Sequence, residues 1–74
     1  MNKMNQLLIS YLKITQNAAK ALRLMGINPT MSIEKLNAYI KEAETCDVME
    51  FIEQNFTEDN RDEFLLMVKE EELT

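Results

Sequence analysis

Between Met4 and Met25 the residues Met4, Leu8, Tyr11, Thr15, Ala18, Leu22 and Met25 follow one another at alternating spacings of four and three. That step keeps side chains on one side of a helix with 3.6 residues per turn. Leu7, Leu12 and Ala19 widen the stripe, while Asn2, Asn5, Gln6, Lys13, Gln16, Asn17, Lys20 and Arg23 fall on the other side. The pattern predicts a long amphipathic helix with a basic, amide-rich outer face. Gly26 is its expected stop, because glycine accepts the left-handed conformation that follows a helix. Ile27 then folds back as the apolar contact of a Schellman-type end.

Asn28 and Pro29 form a connector, since the residue before proline is pushed out of the helical region. Ser32 is the predicted N-cap of a second helix. Glu34 lies in its first turn, where the dipole favours an acid, and Ile33, Leu36, Tyr39, Ile40 and Ala43 form its buried face. That helix is expected to end near Glu44 or Thr45. Asp47 followed by Glu50 has the form of a capping box and opens a short third helix with Val48, Phe51, Ile52 and Phe56 turned inward. Thr57, with Glu58 and Asp59 behind it, opens a fourth that runs to about Glu72.

Helices joined by such short connections bury one stripe each by packing together. The expected fold is therefore all-α: a single domain, 1–74, formed by a small bundle of three or four antiparallel helices with a long N-terminal one. The fourth helix breaks the simple pattern. Phe64, Leu65, Leu66, Met67 and Val68 are consecutive, and at about 100° per residue five such positions point all round the axis. Either neighbours bury that helix on two sides or part of it faces outward.

Composition narrows the chemistry. A chain of 74 residues is close to the smallest size at which one core sustains a fold, and such domains draw on disulfides, metals, regular helix packing or self-association. Cys46 is the sole cysteine and there is no histidine, which removes an intrachain disulfide and the usual zinc sets. The run from Phe64 to Val68 is the longest apolar stretch, far below the ~20 residues of a membrane span. A cytoplasmic protein with a reduced thiol, bound to no membrane, is the expectation.

Charge divides the chain in two. Every charged side chain before Glu34 is basic, giving +4, whereas the residues from Glu34 onward carry −9, for a net charge of −5. Catalysis is not expected, because Cys46 has no imidazole partner and neither Ser10 nor Ser32 has a triad around it. A single glycine cannot build a phosphate loop. Thr57 to Glu63 is rich in oxygen ligands but lacks the spacing and glycine of a calcium loop, and Thr57 serves better as a cap. No metal or cofactor is expected.

The function expected from these features is that of a small acidic, non-catalytic protein–protein interaction module with a regulatory or inhibitory role, of the type found in phage and other mobile elements. Another protein, or a second copy in a homodimer, is the expected partner. Methionine adapts to varied partners, and Met31, Met49 and Met67 fit their helical stripes less well than Met4 and Met25. With Leu66 they are the candidate apolar contacts. Two alternatives come from charge. Glu50, Glu53, Asp59, Glu63 and Glu70 form rows of carboxylates that can imitate a nucleic acid and block a basic groove. Conversely, Lys20 to Ile27, the Asn28-Pro29-Thr30 turn and Lys35-Leu36 look like a helix-turn-helix unit. On that reading Lys20, Arg23, Lys35 and Lys41 contact DNA. Glu34, Glu42 and Glu44 on the would-be reading helix argue against it, so nucleic acid is the less favoured partner.

Overall fold

The computed structural model describes residues 2–72. Helix α1 spans Lys3–Leu24, α2 Ile33–Glu42, α3 Val48–Asn55 and α4 Glu58–Glu72, and the described residues contain no strand. At 1.5 Å per residue, the 22 residues of α1 extend about 33 Å, nearly the full 36 Å length of the molecule. The other three helices are shorter and share that one long neighbour.

Each helix begins on a side-chain oxygen that accepts a backbone N–H left free by the first turn. Asn2 Oδ1 takes the N–H of Asn5 at 2.9 Å, Ser32 Oγ that of Lys35 at 3.0 Å, Asp47 Oδ1 that of Glu50 at 3.1 Å and Thr57 Oγ1 that of Asn60 at 3.2 Å. Caps of this kind stabilise a helix by about 1 kcal/mol each. Ser32, Asp47 and Thr57 cap where the sequence places them, while the Glu50 carboxylate turns forward to accept from Gln54 Nε2 at 3.3 Å.

The end of α1 is the expected Schellman stop. Gly26 has a φ of +78°, its N–H donates to the Arg23 carbonyl at 3.1 Å, and the N–H of Ile27 reaches the Leu22 carbonyl at 2.9 Å. These two bonds cover carbonyls that have no partner further along the helix. Helix α2 ends at Glu42, slightly before the expected Glu44 or Thr45, because the bonds from Glu44 to Lys41 and from Thr45 to Glu42 tighten to the three-residue step of a turn.

Two amide side chains bolt α1 to α2. Asn5 Nδ2 donates to the carbonyls of Ala43 at 2.8 Å and Cys46 at 3.0 Å, at the C-terminal end of α2. Gln16 Nε2 donates to the Ile33 carbonyl at 3.2 Å and to Asn37 Oδ1 at 2.6 Å, at its N-terminal end. The low number on α1 meets the high number on α2 and the reverse, so these two helices run antiparallel. Asn5 also fills the need of carbonyls that α2 leaves open at its end.

The core contains Leu8, Leu12, Leu36, Ile52 and Phe64, all essentially inaccessible, with Tyr11, Ala19, Ala43, Val48, Phe51 and Val68 around them. Burial of a leucine, isoleucine or phenylalanine contributes roughly 1.5–3 kcal/mol each. All five aromatic residues of the chain join in one network: Tyr39 meets Phe51 edge-on at 5.2 Å, Phe51 meets Phe56 at 5.9 Å, and Phe56 and Phe64 lie 5.6 and 5.8 Å from Tyr11. Such pairs add about 0.5–1.5 kcal/mol beyond the area they bury.

Four expectations for α1 are corrected. Ala18 and Met25, placed on the buried stripe, are exposed, Met25 to 71%, and Asn5 and Gln16, placed on the outer face, are buried. The cause is geometric: at 3.6 residues per turn the buried positions that face α2 share an arc of about 80°, and Ala18 and Met25 lie about a third of a turn from its centre, with Met4 only half-buried at its edge. The core instead follows Asn5, Leu8, Leu12, Gln16 and Ala19. On α4, Phe64 and Val68 are buried, Leu65 and Met67 are half-buried against the core, and Leu66 alone of the five is exposed. The run is thus wrapped on more than one side and leaves a single leucine outward.

Candidate functional site

Ile14, Ala18, Ala21 and Met25 recur on α1 at spacings of four, three and four, and all four are exposed. They form a second apolar stripe on the face turned from the core. Ile14 is 62% exposed and Leu24, beside the stripe, 91%. The stripe continues over the helix end to Ile27, which is 48% exposed. Because the Schellman bonds hold that end, these side chains stand on a fixed backbone.

A shallow groove of about 370 Å³ runs along one flank of the stripe, lined by Ala18, Leu22, Pro29 and Met31, with Thr57 and Asp59 on its rim. A smaller recess of about 280 Å³, which no residue of the stripe lines, is formed by Lys20, Arg23, Leu24 and Ile33 where α1 meets the start of α2. The start of the acidic α4 therefore lies beside the stripe at Ala18, and Lys20 and Arg23 lie toward α2. Lys13 and Lys20 face no carboxylate within ion-pair distance among the described residues, whereas Arg23 lies 3.5 Å from Glu34. Both members of that pair are exposed, where water and salt screen the attraction and leave it little weight in stability. The Glu34 carboxyl is held below the ordinary glutamate value by a hydrogen bond to its own backbone and by Arg23.

The sequence-predicted contact residues do not gather in one place. Met31 is half-buried in the groove and Met67 packs against the core, whereas Met49, 54% exposed, sits beside Asn2 and Met4 at the opposite end of α1. Leu66, 57% exposed, stands on the outer face of α4 among Asp59, Asp62 and Glu70, positions three to four residues apart. Of the candidate carboxylates, Glu50, Glu53 and Glu70 are exposed, Asp59 borders the groove, and Glu63 accepts the Tyr11 hydroxyl at 3.1 Å. The candidate DNA contacts are also divided. Lys20 and Arg23 lie near the start of α2 and Lys41 at its far end, with Arg23 turned to Glu34 and Lys35 lying 5.6 Å over the ring of Tyr39.

Cys46 is half-buried, and burial, then the nearby Glu42 carboxylate, push its thiol above the ordinary cysteine value. A thiol raised in this way stays protonated and unreactive. Among the described residues, no three cysteine or carboxylate side chains come together to hold a metal, and no helix is long and apolar enough to cross a membrane.

Residue patterning missed the exposed stripe because Ala18 and Met25 also fit a heptad with Leu8, Tyr11 and Leu22. The signal that separates the two faces is the spacing of Asn5, Leu8, Leu12, Gln16 and Ala19, which stays on one side of a straight helix only if two amides are admitted to the core. Comparison with protein-family models, with curated proteins and with solved structures returns no match to this chain.

Proposed function

We propose that this protein is a non-catalytic protein–protein interaction module with a regulatory or inhibitory role, and that it binds through the outer face of α1. The observation that carries this reading is the fixed apolar stripe Ile14, Ala18, Ala21 and Met25, with Leu24 and Ile27 beside it, exposed on a molecule this small. Continuous exposed apolar surface of this kind marks interaction sites. The two alanines let another helix approach closely, and the large side chains on either side of them give it something to bury.

The test is comparative capture. The tagged protein and its Ile14→Asp, Met25→Asp variant are each passed through lysate of the source cells, and retained proteins are compared by mass spectrometry. Both positions are exposed, so circular dichroism is expected to show the same helical fold. A protein retained by the parent and lost from the variant supports the reading. Identical retention by both removes α1 as the binding face.

A further inference from the structure

Two faces of this one chain complement each other. The outer face of α1 is apolar along Ile14, Ala18, Ala21 and Met25, with Lys13 and Lys20 exposed on the same helix beside it, whereas Arg23 turns to Glu34 of α2. The outer face of α4 has the opposite arrangement: a single exposed leucine, Leu66, whose helical neighbours one turn away are three acids, Asp62, Glu63 and Glu70, and one cation, Lys69. Within one molecule these faces cannot meet, since α1 and α4 already pack side by side through Tyr11, Phe64, Asn60 and Glu63. Resting on the interaction-module reading, we propose that the partner is a second copy of this chain, with α1 of each protomer docked on α4 of the other.

Reciprocal docking has two physical advantages over any other pairing of these surfaces. It sets Lys13 and Lys20, which face no carboxylate within ion-pair distance among the described residues, against Asp62 and Glu70, whereas pairing α1 with α1 or α4 with α4 sets like charges together. It also forms the helix–helix contact twice around a two-fold axis, as closed dimers do. That doubling moves a small domain toward the roughly 1,200 Å² that specific interfaces bury. The charge division along the chain then acts as a dimer code: the basic segment of one copy is read by the acidic segment of the next.

Charge reversal tests this directly. Three proteins are compared by sedimentation velocity between about 10 μM and 1 mM at low salt: the parent, Lys13→Glu with Lys20→Glu, and Asp62→Lys with Glu70→Lys. All four positions are exposed, and circular dichroism verifies that each fold persists. The parent is expected to dimerise, and each variant alone to dimerise at least about 10-fold more weakly. An equimolar mixture of the two variants is expected to regain the dimer, because both contacts again join opposite charges. A parent that stays monomeric throughout, variants that associate as well as the parent, or a mixture that stays monomeric each overturns the reciprocal dimer. A monomeric parent still leaves the α1 face free for another protein, so the capture experiment stands or fails separately.

Discussion

Tyr11 shows how much one side chain integrates. Its ring lies in the core against Phe56 and Phe64, while its hydroxyl donates to Glu63 Oε1 at 3.1 Å and accepts from Asn60 Nδ2 at 3.2 Å, tying α1 to α4. Burial raises its pKa above the ordinary tyrosine value of 10.0, the neighbouring Glu63 carboxylate works in the same direction, and the Asn60 amide opposes both. In the unfolded chain tyrosine ionises near pH 10, so above that pH the unfolded state loses a proton that the folded state keeps. The stabilisation is complete below pH 10 and declines as pH rises through the folded pKa. Urea midpoints at pH 9 and pH 11 are expected to fall further in the parent than in Tyr11→Phe, which is itself about 1 kcal/mol less stable at pH 9. Equal decrements would show that Tyr11 is not the linked group. None of this was visible in sequence, where Tyr11 read only as one more apolar position.

At the scale of the element, caps and stops were the most legible features. Ser32, Asp47, Thr57 and Gly26 act where local chemistry puts them, because a cap needs only a side-chain oxygen and the next three residues. Gly26 offers a clean measurement. A Cβ built there meets nothing within 4 Å, yet φ is +78°. Gly26→Ala therefore costs backbone strain alone, about 1 kcal/mol, read as a lower urea midpoint with an unchanged slope. A loss several times larger would mean that the methyl group does collide. Faces were less legible than ends. Two overlapping apolar stripes run along α1, and local pattern does not rank them; the choice depends on which one meets α2.

For the whole molecule, a core shared among four helices makes each large side chain critical. Phe64 is fully buried, and its aromatic neighbours Tyr11 and Phe56 come from outside α4. Replacing it with alanine is expected to cost roughly 3–5 kcal/mol, against a total stability of about 4–11 kcal/mol for a chain of 74 residues. Thermal denaturation of Phe64→Ala is expected to show a Tm at least about 12 °C lower. A change of only a few degrees would mean that the core collapses around the gap. The same smallness gives self-association its physical motive, since a domain with so little interior gains proportionately more from burying an outer face.

The amino-acid sequence by itself determined the all-helical class, the caps and stops of the helices to within a few residues, and the division of charge, and left three or four helices open. These follow from interactions within a few residues and from simple composition. Only the tertiary structure decided that Asn5 and Gln16 are buried as ties to α2, that Ala18 and Met25 face outward, and that Leu66 alone of its apolar run stands clear. A side chain's inside and outside are set by the neighbour it meets, and for Tyr11 on α1 that neighbour, Glu63, lies 52 residues away in the chain.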